Sequence, residues 1–189
     1  AEQGLISNSL VFRVGAMARG AAKSLRAGEF FVPASASSED VLRILLSGKT
    51  VVRRLTVVEG WTTAEVINRL VRTKGLTGII SARPGEGRLL PETYHFSYGD
   101  SREGLLQRMR VAMDNVLDEL WAKRKASVPY KTPTEALVMA SIVERETGLA
   151  EERAKVAGVF VNRLNRGMRL QSDPTVIYGL MGTSGSLGR

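Results

Sequence analysis

The sequence contains no cysteine and a single histidine, His95, among its 189 residues. Without thiols or a histidine cluster, the chain can form no disulfide, cysteine nucleophile, zinc ribbon or His-rich metal site. We therefore predict neither a metal nor a cofactor. A catalytic triad would have to use His95, and no serine lies in the Gly-x-Ser-x-Gly pattern of a nucleophile elbow. Phosphate-binding glycine motifs are also absent. Among common catalytic schemes, carboxylate chemistry remains.

Long apolar runs are also absent, because no uncharged stretch approaches the roughly 20 residues that cross a bilayer. The chain begins with Ala1 and ends in a Gly/Ser-rich stretch at 182–188. We interpret it as a piece of a longer protein, truncated at both ends, from which a signal or membrane anchor could have been removed.

Basic residues outnumber acidic ones by 27 to 19, which gives a net charge of +8. This excess favours an anionic partner such as nucleic acid, an anionic membrane face or a wall polymer. The charge is spread along the chain, and its longest basic run is only three residues, at 123–125. No strand combines basic and aromatic residues in the pattern that stacks bases, so we predict no nucleic-acid partner.

The patterning predicts an α+β fold in two parts, with a small α+β module at 1–76 and a mainly helical domain at 77–189. In the module, capping boxes at 37–40 and 62–65 predict two helix starts. The first predicted element is a helix from near Ser9 with the apolar residues Leu10, Val11, Val14, Met17 and Ala18. A strand at 29–32, a helix ended by Gly48, a strand at 51–58 and a helix that stops before Gly75 follow it.

The second part begins with an irregular segment at 76–100, which contains Pro84, Pro91 and several glycines. A helix follows from about residue 103, and its apolar stripe comprises Leu105, Leu106, Met109, Met113, Val116, Leu117, Leu120 and Trp121. Another helix starts at Pro133. Its body at 136–143 carries no charge, so we expect it to be buried on every side. Helices at 151–166 and after Pro174 complete the domain.

Two glutamates end the uncharged helix, Glu144 and Glu146, and their spacing places them about 200° apart. Glu146 continues the apolar stripe of Met139 and Val143. A carboxyl group held against apolar side chains is favoured in its protonated form and can act as a general acid. The alternative is that Arg145 and Arg153 pair with both glutamates at a solvated helix end.

Three other places could contribute to a site. Asp173 either caps the helix that starts at Pro174 or joins Gln171, Ser172 and Thr175 in a polar cluster that hydrogen-bonds a sugar. The segment with Glu92, Tyr94 and His95 either lines a cleft or packs Tyr94 and Phe96 on the core. Trp61 and Trp121 fit core packing better than a role as sugar platforms.

Several long motifs carry a resemblance to a known family. The segments ASIVERETG at 140–148, VFVNRL at 159–164 and MRLQSDPTVIYG at 168–179 closely resemble the endolytic murein transglycosylase (MltG, YceG-like) family. Upstream, LPETY at 90–94 resembles the family's apolar-Pro-Asp/Glu-Thr-Tyr motif. The region from AGEF at 27–30 to VVEGW at 57–61 resembles its LysM-like module.

The resemblance implies an enzyme that cleaves the β-1,4 bond between N-acetylmuramic acid and N-acetylglucosamine inside nascent peptidoglycan strands. It leaves a 1,6-anhydro end and limits strand length. The second glutamate of the Glu-basic-Glu-Thr motif, Glu146, would be the catalytic residue. Our candidate substrate-binding residues are Glu92, Tyr94, Ser141, Gln171, Ser172, Asp173, Thr175 and Tyr178.

The resemblance also implies a location and partners. Family members are held in the bacterial inner membrane by one N-terminal helix, and their catalytic part lies in the periplasm. Peptidoglycan glycan strands are then the main partner, and peptidoglycan synthases are a further one. The first alternative to an enzyme is a non-catalytic peptidoglycan-binding scaffold of the wall-synthesis complex, in which Glu146 is structural. The second is a basic nucleic-acid-binding domain, which a salt-titrated binding assay against DNA would reveal.

Overall fold

The computed structural model describes residues 9–18, 20 and 28–181, and the Gly/Ser-rich stretch at 182–188 lies outside them. Within these ranges, helices dominate and two strands form a sheet, which confirms the predicted α+β class. The elements are α1 (Ser9–Ala18), α2 (Ser38–Ser47), β1 (Val52–Thr56), α3 (Thr63–Arg72), β2 (Thr93–Ser97), α4 (Arg102–Ala122), α5 (Pro133–Glu146), α6 (Arg153–Asn165) and α7 (Asp173–Met181).

The chain divides into two compact units. One comprises the described part of Ala1–Arg54 together with His95–Asp100, and the other comprises Leu55–Tyr94 together with the described part of Ser101–Arg189. The domain boundary after residue 76 and the LysM-like identity of the first part stay predictions. No helix in the described ranges is both long and apolar enough to cross a membrane.

The first unit contains a small core between α1 and α2. Ala16 and Leu42 are buried against each other, and Phe12 packs on them. The predicted face of α1 was therefore wrong, because α2 covers the side that carries Phe12 and Ala16. Large apolar residues of the predicted stripe are exposed instead: Leu10, Val14 and Met17.

Both predicted capping boxes are confirmed. The Ser37 hydroxyl accepts a hydrogen bond from the Asp40 amide at 3.1 Å, and the Asp40 carboxylate accepts one from the Ser37 amide at 3.0 Å. Thr62 and Glu65 form the same reciprocal pair ahead of α3. These bonds satisfy amides that have no partner inside the helix, which explains why α2 and α3 begin where they do. Gly48 ends α2 in the left-handed region, at φ 65°.

The predicted strand at 29–32 was wrong. This segment has no strand conformation, and Phe31 is 77% exposed. A strand needs a ladder of successive backbone hydrogen bonds. Here the Val51 amide donates to the Glu29 carbonyl at 2.7 Å, and the Arg53 guanidinium holds the Glu29 carboxylate with two bonds of 2.7 Å.

The sheet consists of β1 and β2, which run antiparallel. The hydroxyls of Thr56 and Thr93 lie 2.9 Å apart near one end, and those of Thr50 and Ser97 lie 3.2 Å apart near the other. The sequence prediction placed β2 in an irregular segment, which was wrong. Its residues alternate between buried aromatic side chains, Tyr94 and Phe96, and more exposed polar ones, but the flanking proline and glycines hid this signal.

The second unit has the larger core, to which the first half of α4 contributes as predicted. Beyond Met113 the predicted stripe is less buried, and Leu120 is exposed. Arg102 of α4 donates to the carbonyls of Leu70 and Val71 in the last turn of α3, at 3.2 and 3.3 Å. The buried apolar residues of this core are Leu55, Val57, Val66, Leu70, Leu76, Leu89, Leu105, Leu106, Met109 and Met113.

Helix α5 contacts α4, α6 and α7 and is the central helix of this unit. The prediction that it is buried on every side was wrong, because the neighbouring helices cover one side and Val138 is 54% exposed. Met139 and Val143 form a buried cluster with Phe160 of α6. The partly buried residues that pack against this cluster are Tyr130, Ile142, Val156, Ala157 and Leu170.

Candidate functional site

The candidate site lies at the C-terminal end of α5. Glu146 is the last residue of this helix, and the Thr147 amide closes it by donating to the Val143 carbonyl at 3.2 Å. The Thr147 hydroxyl donates to the Glu152 carboxylate at 2.8 Å, which ties this end to the start of α6. Glu146 follows Val143 by three residues, so the two share the face that packs on α6.

Glu144 is paired, as one of the two sequence interpretations expected. An Arg153 nitrogen lies 3.0 and 3.1 Å from its two carboxylate oxygens. The expected pairing of Glu146 with an arginine does not occur among the described residues. The two glutamates therefore differ in their surroundings, because Glu144 is paired with a cation and Glu146 is not.

Glu146 has a different partner, Ser172. The Ser172 hydroxyl donates a hydrogen bond of 2.5 Å to Oε1 of Glu146, across 26 residues of sequence. Ser172 is only 2% exposed, whereas Glu146 is exposed. The expectation that apolar packing desolvates this carboxyl group was wrong, because the cluster around Val143 ends one turn earlier. The buried Ser172 hydroxyl, rather than an apolar side chain, contacts the Glu146 carboxyl group.

The loop that carries Ser172 is fixed by α6. The Arg163 guanidinium donates to the Leu170 carbonyl, and the Met168 amide donates back to the Arg163 carbonyl at 2.8 Å. Gly167 makes the turn possible, since its φ of 66° is one that glycine adopts without strain. Sequence reasoning missed Arg163, because Leu170 lies beyond the end of α6 and the chain turns at Gly167 between the two residues.

The other residues of the predicted polar cluster surround Ser172. Thr175 donates to the Ser172 carbonyl from its amide at 3.1 Å and from its hydroxyl at 2.6 Å. Gln171 has a φ of 51° and is exposed. Asp173 opens α7 and is also exposed, and among the described residues its side chain makes no capping bond. Tyr178 is half exposed on α7.

Ser172 departs from its predicted role as a substrate-binding residue. Its side chain is buried and its hydroxyl is committed to Glu146, so it has little surface to offer a sugar. Ser141 is exposed on α5, and its hydroxyl donates to the Val138 carbonyl of the same helix at 2.7 Å. Glu146 follows Ser141 by five positions, about 140° around the helix, so the two lie on different faces.

Tyr94 belongs to the core, as the second interpretation of its segment expected. The side chain is 8% exposed, and its hydroxyl donates to the Leu90 carbonyl at 2.8 Å. Burial raises the pKa of Tyr94 to about 12, and the nearby charge of Glu92 adds to the shift. The phenol therefore stays neutral as a structural donor. Glu92 is exposed beside it and accepts from the Thr93 amide at 2.8 Å.

All 189 residues match the YceG-like family. The chain belongs to this family. Two pneumococcal proteins, from strains D39 and R6 of Streptococcus pneumoniae, are named endolytic murein transglycosylase and are each 29% identical over 98% of this chain. A Bacillus subtilis protein of the same name is 38% identical over 50% of it.

The chain spans 40% of the length of the pneumococcal relatives and 26% of the Bacillus subtilis one. The crystal structure of a YceG-like protein from Listeria monocytogenes is also similar to it. That likeness covers all of this chain and 71% of the other, at a TM-score of 0.54 and 27% identity.

The tryptophans lie outside the Glu146 contacts described above. Trp121 is partly buried beneath the Arg124 guanidinium, whose carbon lies 3.9 Å from the ring centre, so it has a packing role as expected. Trp61 is more open, at 36% exposure, and lines a small pocket. The pocket is lined by Val57, Val58, Trp61, Thr63, Val66, Gly87, Leu89 and Pro91.

A larger cavity of about 350 Å³ contains none of the predicted site residues. It is lined by Pro84, Gly85, Arg88, Arg110 and Asp114. Within the described ranges, no three His, Cys, Asp or Glu side chains gather in a group that could hold a metal ion.

Proposed function

We propose that this chain carries the catalytic part of an endolytic peptidoglycan lytic transglycosylase. The enzyme would cleave the β-1,4 bond between N-acetylmuramic acid and N-acetylglucosamine inside nascent glycan strands and thereby limit their length. Membership of the YceG-like family and the name shared by its relatives support this proposal. The observation that carries it here is an exposed carboxyl group at the end of α5, held in place by a buried hydroxyl.

In the proposed reaction, Glu146 acts first as an acid and then as a base. Its carboxyl group donates a proton to the glycosidic oxygen, and the bond from that oxygen to C1 of the muramyl residue breaks. The C6 hydroxyl oxygen of the same sugar then bonds to C1 and gives its proton to the Glu146 carboxylate. The product has a 1,6-anhydro ring, no water is consumed, and Glu146 ends the cycle protonated.

One carboxyl group is sufficient for this scheme. Hydrolases that use two carboxylates need the second to activate water or to form a covalent intermediate. Here the attacking hydroxyl belongs to the substrate, and the N-acetyl group of the muramyl residue can stabilise positive charge at C1. Glu144 is therefore not needed as a partner, which agrees with its pairing to Arg153.

The glycan strand would lie across the exposed residues near Glu146. Gln171, Asp173, Thr175 and Tyr178 present amide, carboxylate, hydroxyl and phenol groups on the loop before α7 and on α7 itself. Such groups hydrogen-bond sugar hydroxyl and N-acetyl groups. The exposed Glu92 and Ser141 remain weaker candidates for contact with more distant sugars.

We further propose that residues 1–76 form a LysM-like module that holds peptidoglycan and that residues 77–189 form the catalytic domain. By family resemblance, the whole protein would be held in the bacterial inner membrane by one N-terminal helix, with its catalytic part in the periplasm. The net charge of +8 supports attraction to an anionic wall polymer or membrane surface. Peptidoglycan synthases would be its protein partners.

The test is mass spectrometry of fragments released from purified peptidoglycan sacculi by the protein and by Glu146→Gln. Glutamine keeps an oxygen that can accept from Ser172 but has no acidic proton to transfer to the glycosidic oxygen, so the variant should fold, bind sacculi and lose about 10²–10⁴-fold in rate. Glu144→Gln is the matched control. It keeps an acceptor for Arg153 and should still release anhydro-ended fragments.

Three results would contradict the proposal. Cleavage by a folded Glu146→Gln protein would remove Glu146 from its role. Water-terminated rather than anhydro-ended products would exclude a lytic transglycosylase. Binding to sacculi without cleavage by the parent protein would favour the non-catalytic scaffold instead.

A further inference from the structure

We propose that Ser172 is a positioning residue for Glu146, and that it determines which carboxyl oxygen carries the catalytic proton. The inference rests on the proposed function and names a residue that acts through Glu146 rather than on the substrate. Its starting observation is the hydrogen bond of 2.5 Å from the Ser172 hydroxyl to Oε1 of Glu146.

The two residues have opposite exposure. Ser172 is 2% exposed, so its hydroxyl reaches Glu146 from the protein side, whereas the Glu146 side chain is open to solvent. The Ser172 hydroxyl favours the proton of the carboxyl group on Oε2, because an unprotonated carboxyl oxygen is the better acceptor and Oε1 is the oxygen that accepts. Oε2 is then the oxygen that would reach a glycosidic bond.

A comparison with the starts of α2 to α5 shows that the Ser172 hydroxyl does not form the usual helix cap. Four helices, α2 to α5, are preceded by a Ser or Thr whose hydroxyl accepts a hydrogen bond from the amide three residues later. Ser172 precedes α7 in the same position. Here the equivalent amide, that of Thr175, donates to the Ser172 carbonyl at 3.1 Å. The Ser172 hydroxyl makes its described hydrogen bond to Glu146 instead.

The Ser172 backbone is held from both sides. On the C-terminal side, Thr175 donates twice to its carbonyl, from the amide and from the hydroxyl. On the N-terminal side, Leu170 packs against the cluster of Met139, Val143 and Phe160, and Arg163 donates to its carbonyl. This bracing matters because a hydroxyl can orient a carboxylate only if its own position is fixed.

The arrangement therefore links the catalytic carboxyl group to the core of its own unit. Val143 lies one turn before Glu146 on α5 and belongs to the cluster with Met139 and Phe160. Leu170 lies two residues before Ser172 and packs against the same cluster. The segments that carry the donor, Ser172, and the acceptor, Glu146, are thus both anchored to this apolar cluster. Without the hydroxyl, an exposed glutamate at a helix end would sample several rotamers and spend little time in the productive one.

The test measures kcat and KM on glycan strands for the parent protein, Ser172→Ala and Ser172→Thr. Ser172→Ala removes the donor, so we expect kcat to fall about 10- to 100-fold while KM stays within about twofold. Ser172→Thr keeps the hydroxyl and should restore most of the rate. Thr132→Ala is the matched control, since it removes a hydroxyl at the other end of α5 and should leave kcat unchanged.

The variants separate this inference from the proposed function. If Glu146→Gln is inactive but Ser172→Ala keeps the parent kcat, the positioning role is wrong and the proposed function stands. If folded Glu146→Gln still cleaves, the proposed function fails first. An equal loss of kcat in Thr132→Ala, or no rescue by Ser172→Thr, would also overturn the inference.

A third substitution keeps the test decisive if Ser172→Ala fails to fold. Ser172→Cys has nearly the original shape but a weak donor, so its kcat should lie well below that of the parent and of Ser172→Thr. Parent-like kcat in a folded Ser172→Cys protein would contradict the proposal. Circular dichroism and sacculus binding on every variant show whether a lost rate reflects lost structure.

Discussion

The two ends of α5 are built in different ways. At the N-terminal end, the Thr132 hydroxyl accepts from the Glu135 amide at 3.2 Å, and the Glu135 carboxylate accepts from the Lys131 amide at 2.7 Å. At the C-terminal end, Glu144 and Glu146 are held by Arg153 and Ser172, nine and 26 residues away. The side chains at the N-terminal end are thus held by sequence neighbours, whereas the two glutamate side chains at the C-terminal end are held by remote residues.

Under the proposed function, this difference places residues that mainly stabilise α5 at one end of the helix and the proposed catalytic group at the other. Local capping satisfies amides that the helix itself leaves without partners, and it contributes wherever the sequence is placed. Remote contacts form only after the surrounding helices have packed, and they hold side chains in orientations that local structure does not dictate. A carboxyl group that must meet a substrate benefits from the second kind of support.

The largest expected effect comes from removing the apolar support of the C-terminal end. Phe160→Ala deletes a buried aromatic ring from the cluster with Met139 and Val143, and it should lower the free energy of unfolding by about 3–5 kcal/mol. Urea-induced unfolding followed by circular dichroism measures this loss. Activity should fall as well, because Leu170, next to the Ser172 loop, packs on the same cluster.

Val159→Ala is the control for that change, because Val159 precedes Phe160 on α6 but is half exposed. We expect it to change the free energy of unfolding by about 0.5 kcal/mol or less. Similar losses for the two variants would mean that α6 does not support the end of α5 through this cluster.

A smaller effect is expected at the N-terminal end. Thr132→Ala removes the capping hydroxyl of α5 and should cost about 1 kcal/mol of stability. The same unfolding measurement applies, and Thr132→Ser should recover most of the loss because it retains the acceptor. If folded Thr132→Ala protein cleaves sacculi more slowly than the parent, the N-terminal end of α5 also affects activity and the proposed difference between the two ends is wrong.

The smallest effect concerns the ion pair at the C-terminal end. Arg153→Ala removes the partner of Glu144, but both side chains are partly exposed, so we expect a loss of less than about 1 kcal/mol. Thermal unfolding at low and high salt should show the loss shrinking as salt screens the pair. A loss of several kcal/mol that salt does not alter would contradict the assignment of this pair as a surface contact.

Sequence reasoning found the elements whose causes are local. The two capping boxes, Gly48 as the end of α2 and the start of α5 at Pro133 all appear as predicted. It failed where the outcome depends on pairing partners. The aromatic segment at 29–32 is no strand, whereas the segment at 93–97 pairs with β1 despite its flanking proline and glycines.

The candidate site divides in the same way. The family resemblance selected Glu146, and helical spacing predicted that Glu144 points elsewhere, which agrees with the separate partners the two residues have. Spacing also predicted a desolvated Glu146, which is exposed, and treated Ser172 as a sugar contact, whereas its hydroxyl serves Glu146. The pattern SDPT gives no sign of this, because a serine in that position usually caps the following helix.

The sequence by itself determined where α2, α3 and α5 begin, because capping depends on side-chain identity and on neighbours within one turn. Only the tertiary structure decided which faces are buried, which strand pairs with β1 and which hydroxyl meets Glu146. Each of those outcomes joins residues far apart in the chain, so it depends on how whole elements pack.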